Sequence, residues 1–371
     1  MKKIVLTGGG TGGHIFPLVT VVEYIKDNYQ DQEIEFRYFG PKGNLEKEVM
    51  TNLGIQQRGI LSGKLRRYFS FSYIIDLIKM PLGLAQALFY LLAYMPDVVF
   101  AKGGYASVPV VLAAWLYRIP IIIHESDAKP GMANEFLGNL ATRIAVSFER
   151  AKIHFPISKT FVSGNLVSKR VLNGDSETAM KILGMRKKVK PVVFILGGSQ
   201  GAELINKRIL QILKRLLKHY QIIHQTGVKD YKAVVHEAER QGFKIGHSDY
   251  YPVAFVGDEI KHFYALADVV ISRAGATTIA EISANKKLAI LVPITKSANN
   301  HQRINAFEVA RMGGAIVLEE NNFKESMILL RLKQLIYDEE IKKKIKSGVG
   351  RFYNPQATKI ITEELLNLIN H

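Results

Sequence analysis

The 371-residue sequence contains no cysteine. A disulfide framework is therefore excluded, as is any metal site built from thiolates. The sequence also lacks the G-x-x-x-x-G-K-[ST] motif of P-loop nucleotidases and any Asp-x-Asp pair, and its histidines are scattered rather than spaced as metal ligands. We therefore expect no obligatory metal and no other cofactor.

Long apolar runs are missing as well. Behind the basic start Met1-Lys2-Lys3, the apolar run ends at Leu6, well short of the roughly 7–15 residues of a signal-peptide core. The uncharged stretch 80–96 is bounded by Pro81 and Pro96 and is shorter than the about 20 residues of a transmembrane helix. We expect neither export by a signal peptide nor a membrane span.

Acidic residues are scarce relative to basic ones. The 33 Asp and Glu residues against 50 Lys and Arg give a net charge of +17. This excess predicts an anionic partner: nucleic acid, an acidic lipid surface or a phosphorylated substrate. The basic residues are dispersed and no helix-turn-helix or zinc spacing occurs, so nucleic acid is not expected.

Short apolar runs alternate with helical-period segments along the whole chain. This rhythm is typical of a parallel sheet covered on both faces, which predicts an α/β, doubly wound fold. The length suggests about two domains. We predict the first at 1–163 and the second at 164–352, with a final helix within 353–371 packing back on the first. The predicted strands are 4–6, 34–39, 98–101, 121–124, 144–146, 192–196, 222–224, 253–256, 269–271 and 289–292.

Three glycine turns follow predicted strands. The first, Thr7 to His14, contains five glycines in six positions; the second is 197–202 and the third is 272–281. A glycine turn that joins a strand to a helix exposes backbone N–H groups and the positive end of the helix dipole, which suits an anion. In the third turn, Thr277 and Thr278 are candidate helix caps.

The first turn also matches the dinucleotide fingerprint G-x-G-x-x-G, so an NAD-dependent oxidoreductase has to be weighed. That fingerprint needs an acidic residue at the end of the second strand. Here the strand ends Tyr38-Phe39-Gly40, and Glu35 comes too early. The NAD interpretation is therefore not favoured.

Residues 64–79 depart from the α/β rhythm because cations lead into aromatic and aliphatic residues. One interpretation is a core helix with a basic first turn. The other is an apolar surface, ringed by cations, that contacts an anionic membrane. The candidate membrane residues are Arg66, Arg67, Phe69, Ile75 and Lys79.

Four motifs, taken in order, resemble those of a known family. They are Gly9-Gly10-Thr11-Gly12-Gly13-His14-x-x-Pro17, His124-Glu125-x-x-x-x-Pro130-Gly131-x-x-Asn134, 197–202, and 272–281. Together they are similar to the signatures of the bacterial lipid II synthases, the MurG family. The resemblance spans nearly the whole chain and implies a GT-B fold, in which two Rossmann-like domains face one another across a cleft.

The resemblance implies inverting transfer of N-acetylglucosamine (GlcNAc) from UDP-GlcNAc to undecaprenyl-diphospho-MurNAc-pentapeptide (lipid I). This is the step of peptidoglycan synthesis that yields lipid II, and it serves cell-wall biogenesis, cell shape and cell division. It implies a peripheral enzyme on the cytoplasmic side of the cell membrane and favours the membrane interpretation of 64–79. Other proteins of cell-wall synthesis are possible partners.

Transfer needs a base for the acceptor hydroxyl proton, and His14 titrates in the right range; the alternative for His14 is a structural or phosphate-contacting imidazole, and Glu125 and Asp127 are the competing bases. The resemblance implies further roles for individual residues. Contacts to the lipid-linked diphosphate fall on Gly10, Gly104, Tyr105 and Asn134. Contacts to UDP-GlcNAc fall on Thr11, Gly12, Gly13, Ser199, Val256, Ala276, Thr277, Thr278, Glu281 and Gln302.

Two positions depart from the family pattern. Asp127 stands where many relatives have Asn, and Ser168 stands where they have Arg; Lys169 or Arg170 is a candidate substitute.

Two other functions also remain open: a GT-B transferase acting on another membrane lipid such as a diacylglycerol, and a UDP-GlcNAc epimerase, which needs no acceptor.

Overall fold

The computed structural model describes residues 1–63, 71–197, 202–246, 248–295 and 300–370, and describes residues 71–77 by their backbone alone. The chain forms two compact units. The first combines Met1–Ser168 with Pro355–His371, and the second is Lys169–Asn354.

The first unit is built on a seven-stranded parallel sheet in the order β3-β2-β1-β4-β5-β6-β7. Central strands such as β4 and β5 are buried along their whole length, as expected for strands covered by helices on both faces. The strands are β1 (Lys2–Thr7), β2 (Ile34–Gly40), β3 (Gln56–Gly59), β4 (Val98–Ala101), β5 (Ile121–Glu125), β6 (Arg143–Val146) and β7 (Thr160–Val162). The helices between them are α1 (Gly12–Asn28), α2 (Asn44–Asn52), α3 (Phe71–Tyr94), α4 (Val108–Leu116) and α5 (Met132–Leu137).

The second unit carries a six-stranded parallel sheet in the order β10-β9-β8-β11-β12-β13. Its strands are β8 (Val192–Leu196), β9 (Gln221–Gln225), β10 (Tyr250–Val253), β11 (Val269–Ser272), β12 (Leu288–Leu291) and β13 (Ile316–Val317). Its helices are α6 (Ser176–Leu183), α7 (Glu203–His219), α8 (Tyr231–Arg240), α9 (Ile260–Leu266), α10 (Ala276–Ala284), α11 (His301–Arg311), α12 (Glu325–Tyr337) and α13 (Glu339–Val349).

The last helix, α14 (Ala357–Asn370), belongs to the first unit. Its residues Ile361 and Leu365 are buried in the same core as Ile4 of β1 and Val21 of α1. On the neighbouring surface Glu364 forms an ion pair with Arg143 at the start of β6.

Three local expectations differ from the structure. The strand expected at 253–256 lies instead at Tyr250–Val253, because the Pro252 that interrupts the apolar pattern is tolerated on an edge strand. The polar composition of 164–191 predicts a linker, but the stretch contains α6 and the 3₁₀ turn Lys169–Val171. Gly275 is the N-cap residue of α10 and no side chain caps the helix, so the expectation that Thr277 and Thr278 cap it was wrong.

The hydrophobic stretch after residue 70 forms one 24-residue helix, α3, which continues through Pro81. Across the part of the chain that the structure describes, no helix is both long and apolar enough to cross a membrane.

Candidate active site

The glycine turns of both units lie where the strand order of each sheet reverses. In the first unit β1 has β2 on one side and β4 on the other, and in the second unit β8 lies between β9 and β11. Chain segments leaving two such strands depart in opposite directions, which opens a crevice at the carboxyl edge of the sheet where ligands bind. The turn at Gly8 follows β1 and the turn at Gly275 follows β11. Gly197 follows β8, and residues 198–201 lie outside the described ranges.

Two side chains, Tyr38 and Glu46, hydrogen-bond to the backbone of the first glycine turn. The Tyr38 hydroxyl donates a hydrogen bond to the Gly8 carbonyl oxygen, and the Gly10 nitrogen donates to Glu46 Oε1 at 2.8 Å. A β-carbon at Gly9, where φ is +144°, would lie only 2.7 Å from the Tyr38 oxygen. This position therefore requires glycine for both conformation and space.

His14 lies in the first turn of α1 and faces the loop that follows β4. Its Nδ1 lies 3.0 Å from Thr11 Oγ1, and a β-carbon at Gly104 would lie 3.4 Å from its Cε1. Burial, assisted by the positive charge of Lys102, lowers the pKa of His14 to about 4, although Asp127 acts in the opposite direction. The imidazole is therefore neutral at physiological pH.

Glu125 is the last residue of β5, and both oxygens of its buried carboxylate accept hydrogen bonds. Oε1 accepts a hydrogen bond from the Asp127 nitrogen at 2.8 Å. Oε2 accepts from Asn134 Nδ2 at 3.0 Å and from the Gly131 nitrogen at 3.3 Å. Burial and then the Asp127 charge raise the pKa of Glu125, while Lys102 and the hydrogen bonds from the Asp127 nitrogen and Asn134 lower it. Its contacts make Glu125 the anchor of loop 125–134.

These loops converge at the carboxyl edge of three adjacent strands. A β-carbon at Gly10 would lie 3.2 Å from the Tyr105 hydroxyl oxygen, and Gly103 packs directly against the Asn134 amide. The first unit thus brings together most of the residues proposed for it from the sequence: Gly10, Thr11, Gly12, Gly13, His14, Gly104, Tyr105, Glu125, Asp127 and Asn134.

In the second unit, α10 points its N-terminus at the carboxyl edge of the sheet. Its cap, Gly275, has extended backbone and no side chain to occupy the N–H groups of the first turn, which includes Thr277 and Thr278. Such N–H groups remain available to an anion. Val256 lies in the loop that follows β10, on the same edge.

Glu281 lies one turn further along α10. Its Oε2 accepts a hydrogen bond from the Tyr264 hydroxyl at 3.2 Å. Burial raises the pKa of Glu281 to about 7, and the Tyr264 hydrogen bond opposes this shift. Its carboxyl group therefore changes charge near neutral pH.

Gln302 is held near the start of α11. Its Oε1 accepts a hydrogen bond from the Ile294 nitrogen at 3.2 Å, which ties the helix to the segment that leaves β12. The same segment is fixed by Glu320, which accepts from the Thr295 nitrogen at 3.0 Å and pairs with Arg273 at 2.8 Å.

Some proposed residues lie outside the described ranges. These are Ser199 and the candidate membrane residues Arg66, Arg67 and Phe69; for Ile75 the structure describes the backbone alone. Lys79 is partly buried in α3. Ser168 is the last residue of the first unit's main segment, and Lys169 and Arg170 begin the following 3₁₀ turn. Within the described ranges, no cluster of His, Asp and Glu side chains is arranged to hold a metal ion.

Sequence reasoning missed Glu46, Tyr264 and Lys102. Glu46 contacts Gly10, 36 residues away in sequence, and Tyr264 contacts Glu281, 17 residues away. No local motif marks either residue. Lys102 adjoins the Gly103-Gly104 pair, and a lysine at the end of an apolar strand was the available signal.

Comparison with known families gives two matches that together cover most of the chain. Residues 4–146 match the glycosyltransferase family 28 N-terminal domain. Residues 192–352 match the glycosyltransferase family 28 C-terminal domain.

Similar proteins share one name. A Bacillus cereus protein, UDP-N-acetylglucosamine--N-acetylmuramyl-(pentapeptide) pyrophosphoryl-undecaprenol N-acetylglucosamine transferase 2, is 36% identical over 98% of this chain and 99% of its own length. A Halothermothrix orenii protein, whose name differs only in lacking the final number, is 36% identical over 99% of this chain and 98% of its own length.

Solved structures share the fold. The chain resembles Acinetobacter baumannii MurG with a TM-score of 0.75 at 24% identity, covering 99% of this chain and 100% of that one. It also resembles a Neisseria meningitidis UDP-GlcNAc 2-epimerase bound to UDP-GlcNAc, with a TM-score of 0.67 at 15% identity, covering 99% of this chain and 100% of that one.

Proposed function

The chain belongs to glycosyltransferase family 28, and on this basis we propose that it transfers GlcNAc from UDP-GlcNAc to lipid I. The acceptor atom is the C4 hydroxyl oxygen of the muramyl sugar, the products are lipid II and UDP, and the anomeric configuration is inverted. The observation that carries this proposal is full-length similarity to transferases named for that reaction, combined with ligand-type crevices in both units.

We assign the donor mainly to the second unit. The open N–H groups at the start of α10, from Ala276 to Thr278, suit the diphosphate. Glu281 accepts hydrogen bonds from the ribose hydroxyls, and Gln302 binds the GlcNAc hydroxyls. Ser199 and the backbone near Val256 complete the proposed nucleotide contacts.

We assign the acceptor to the first unit. Gly10, Gly104, Tyr105 and Asn134 surround the position of the lipid-linked diphosphate. His14 is the proposed base: its neutral imidazole can accept the hydroxyl proton, and the Asp127 charge then stabilises the imidazolium. The three hydrogen bonds of Glu125 favour a loop-holding role over a role as base.

The geometry supports catalysis by charge stabilisation. Breaking the anomeric C–O bond passes through an oxocarbenium-like state while negative charge grows on UDP. The N–H dipoles at the start of α10 are already fixed in place. Preorganised donors of this kind are worth several kcal/mol to a transition state.

We further propose that the first unit binds the membrane peripherally, on its cytoplasmic side, through α3 and α4. The helical positions of Ile78, Leu82, Phe89 and Leu92 fall on one exposed face of α3. Trp115 and Tyr117 are exposed on and just after α4, which packs against α3, and Arg118 adds a cation. An apolar stripe beside cations suits an anionic lipid surface.

One incubation tests the reaction: labelled UDP-GlcNAc with a short-chain lipid I analogue, with diacylglycerol, or with no acceptor. Label in the lipid I analogue together with UDP release supports the proposal. Label in diacylglycerol alone favours the other lipid transferase, and conversion of the labelled UDP-GlcNAc to an epimeric UDP-sugar without any acceptor favours an epimerase. Either of the last two results contradicts the proposed function.

A further inference from the structure

One carboxylate of the second unit joins two segments that leave neighbouring strands. Glu320 lies in the 3₁₀ turn after β13, and its Oε1 pairs with Arg273 Nη1 at 2.8 Å. Its Oε2 accepts a hydrogen bond from the Thr295 nitrogen at 3.0 Å. Arg273 follows β11 and Thr295 comes after β12, which is paired in parallel with β11. A single side chain therefore bridges two loops at the carboxyl edge of the sheet.

The bridge is largely shielded from solvent. The side chains of Arg273 and Glu320 are 14% and 16% exposed, and Arg273 Nη1 also donates to the Val292 oxygen at 3.1 Å. Loss of one partner from such a pair leaves the other charge without water or a counter-ion. Glu319 forms a contrasting pair with Arg303, whose side chains are 37% and 56% exposed. An exposed pair of that kind contributes little.

The bridged segment leads directly to Gln302. The nitrogen of Ile294, the residue before Thr295, donates to Gln302 Oε1 at 3.2 Å. This bond engages the amide oxygen, so a sugar hydroxyl in contact with the side chain would accept a hydrogen bond from its Nε2 group. The orientation of the amide therefore depends on the position of residues 292–295, which Glu320 holds.

We propose that Glu320 is a positioning residue for the donor sugar, because its two contacts fix the segment that orients the Gln302 amide. This inference rests on the proposed function, which assigns the GlcNAc hydroxyls to Gln302. It deepens that function by separating recognition of the sugar from recognition of the nucleotide. The diphosphate is assigned to the N–H groups at the start of α10, so a loosened 292–295 segment should weaken sugar contacts more than nucleotide contacts.

Replacement of the carboxylate should change the selectivity of donor binding. Glu320→Gln keeps the shape of the side chain and an oxygen for the Thr295 N–H group, but it removes the charge that pairs with Arg273. We expect the affinity for UDP-GlcNAc to fall by about tenfold, as when a ligand hydrogen bond is lost. UDP lacks the sugar, so its affinity should change by less than about twofold.

The matched control is Glu319→Gln, which makes the same chemical change one residue earlier in the chain. It removes only the exposed pair with Arg303, so both affinities should stay within about twofold of wild type.

The experiment is calorimetric titration of the wild type and both variants with UDP-GlcNAc and, separately, with UDP. We expect the ratio of UDP-GlcNAc affinity to UDP affinity to fall in Glu320→Gln alone. A purely structural role would weaken both ligands in parallel, so an unchanged ratio would overturn the proposal, as would an equal fall in Glu319→Gln.

A second variant covers the case in which Glu320→Gln does not fold. Arg273→Lys keeps the positive charge but not the planar guanidinium that contacts both Glu320 and the Val292 oxygen. The affinity ratio should fall in this variant too, and a wild-type ratio would overturn the proposal.

Donor binding needs no acceptor, so the titration separates this inference from the proposed reaction. A chain that shows the predicted change in ratio but transfers no GlcNAc to the lipid I analogue would contradict the transferase assignment alone. Normal transfer with an unchanged ratio in Glu320→Gln would contradict the role of Glu320 alone. A wild-type chain that does not bind UDP-GlcNAc would contradict both.

Discussion

The Glu46 carboxylate accepts a hydrogen bond from the Gly10 backbone nitrogen at 2.8 Å. It thereby occupies, with an anion of the protein itself, an N–H group that a dinucleotide-binding loop offers to a phosphate. The first glycine turn therefore matches the G-x-G-x-x-G pattern, but its Gly10 N–H group is already bonded within the protein. The acid comes from α2 and binds the loop instead of a ribose.

Replacing Glu46 with Ala should destabilise the first unit by about 1–3 kcal/mol, because the loop loses its buried partner for the Gly10 N–H group. Glu46→Gln keeps an oxygen acceptor and should cost less. Denaturant unfolding of both variants measures the difference. Wild-type stability in Glu46→Ala would show that the contact does not hold the loop.

The first glycine turn could be predicted from the sequence, whereas its contact with Glu46 could not. Five glycines after an apolar strand predict a tight turn because the backbone chemistry is local. The role of Glu46 could not be predicted because its sequence neighbourhood is that of an ordinary exposed helix. Its role depends on a contact with Gly10, which lies 36 residues away in the sequence.

Donor affinity should depend on pH through Glu281. Its pKa of about 7 means that the carboxylate, the form that accepts hydrogen bonds from ribose hydroxyls, is gained as pH rises through neutrality. UDP-GlcNAc should therefore bind more tightly at pH 8 than at pH 6, as measured by calorimetry. Tyr264→Phe removes a hydrogen bond that stabilises the carboxylate and should move this transition to higher pH.

Glu281 should also affect stability, with the opposite sign. Because its folded-state pKa lies above the ordinary 4.5, the folded protein holds the proton more tightly than the unfolded chain. This contribution is fully present below about pH 4.5 and is lost as pH rises to about 7. Ligand-free Glu281→Gln should lack that component of the pH dependence, and an unchanged profile would contradict it.

A buried polar network should stabilise the second unit. His224 Nδ1 lies 2.8 Å from the Tyr250 hydroxyl oxygen, and its Nε2 lies 3.0 Å from Asn206 Oδ1. Tyr250→Phe leaves a buried ring nitrogen unpaired and should cost about 1–3 kcal/mol. Tyr337→Phe, at a tyrosine that is 57% exposed, is the matched control and should change little. Equal unfolding midpoints for the two variants would refute this role.

Vesicle binding should depend on the exposed stripe of α3. Phe89→Glu combined with Leu92→Glu places two negative charges on that stripe and should strongly reduce flotation with anionic liposomes. Val228→Glu, at a 69% exposed apolar residue of the second unit, adds a charge without altering the stripe. Binding by the double variant that matches Val228→Glu would disprove the membrane surface.

The second unit shows a different limit of sequence reasoning. Hydrophobicity located β8 and β11 because both are buried from end to end. Hydrophobicity misplaced β10 because Tyr250 to Pro252 is less apolar than the run that follows. The position of the strand is set by its pairing with β9, which involves residues 250–253. That shift moves Val256 out of a strand and into the loop beyond it, where the donor is expected.

The position of α14 means that the chain crosses between its two units twice, once near residue 168 and once near residue 355. The second unit is in this sense an insertion into the first. A fragment ending at residue 168 would lack Ile361 and Leu365 and leave the core around Ile4 open. An isolated first unit therefore needs both of its segments, whereas the second unit is one continuous segment, residues 169–354.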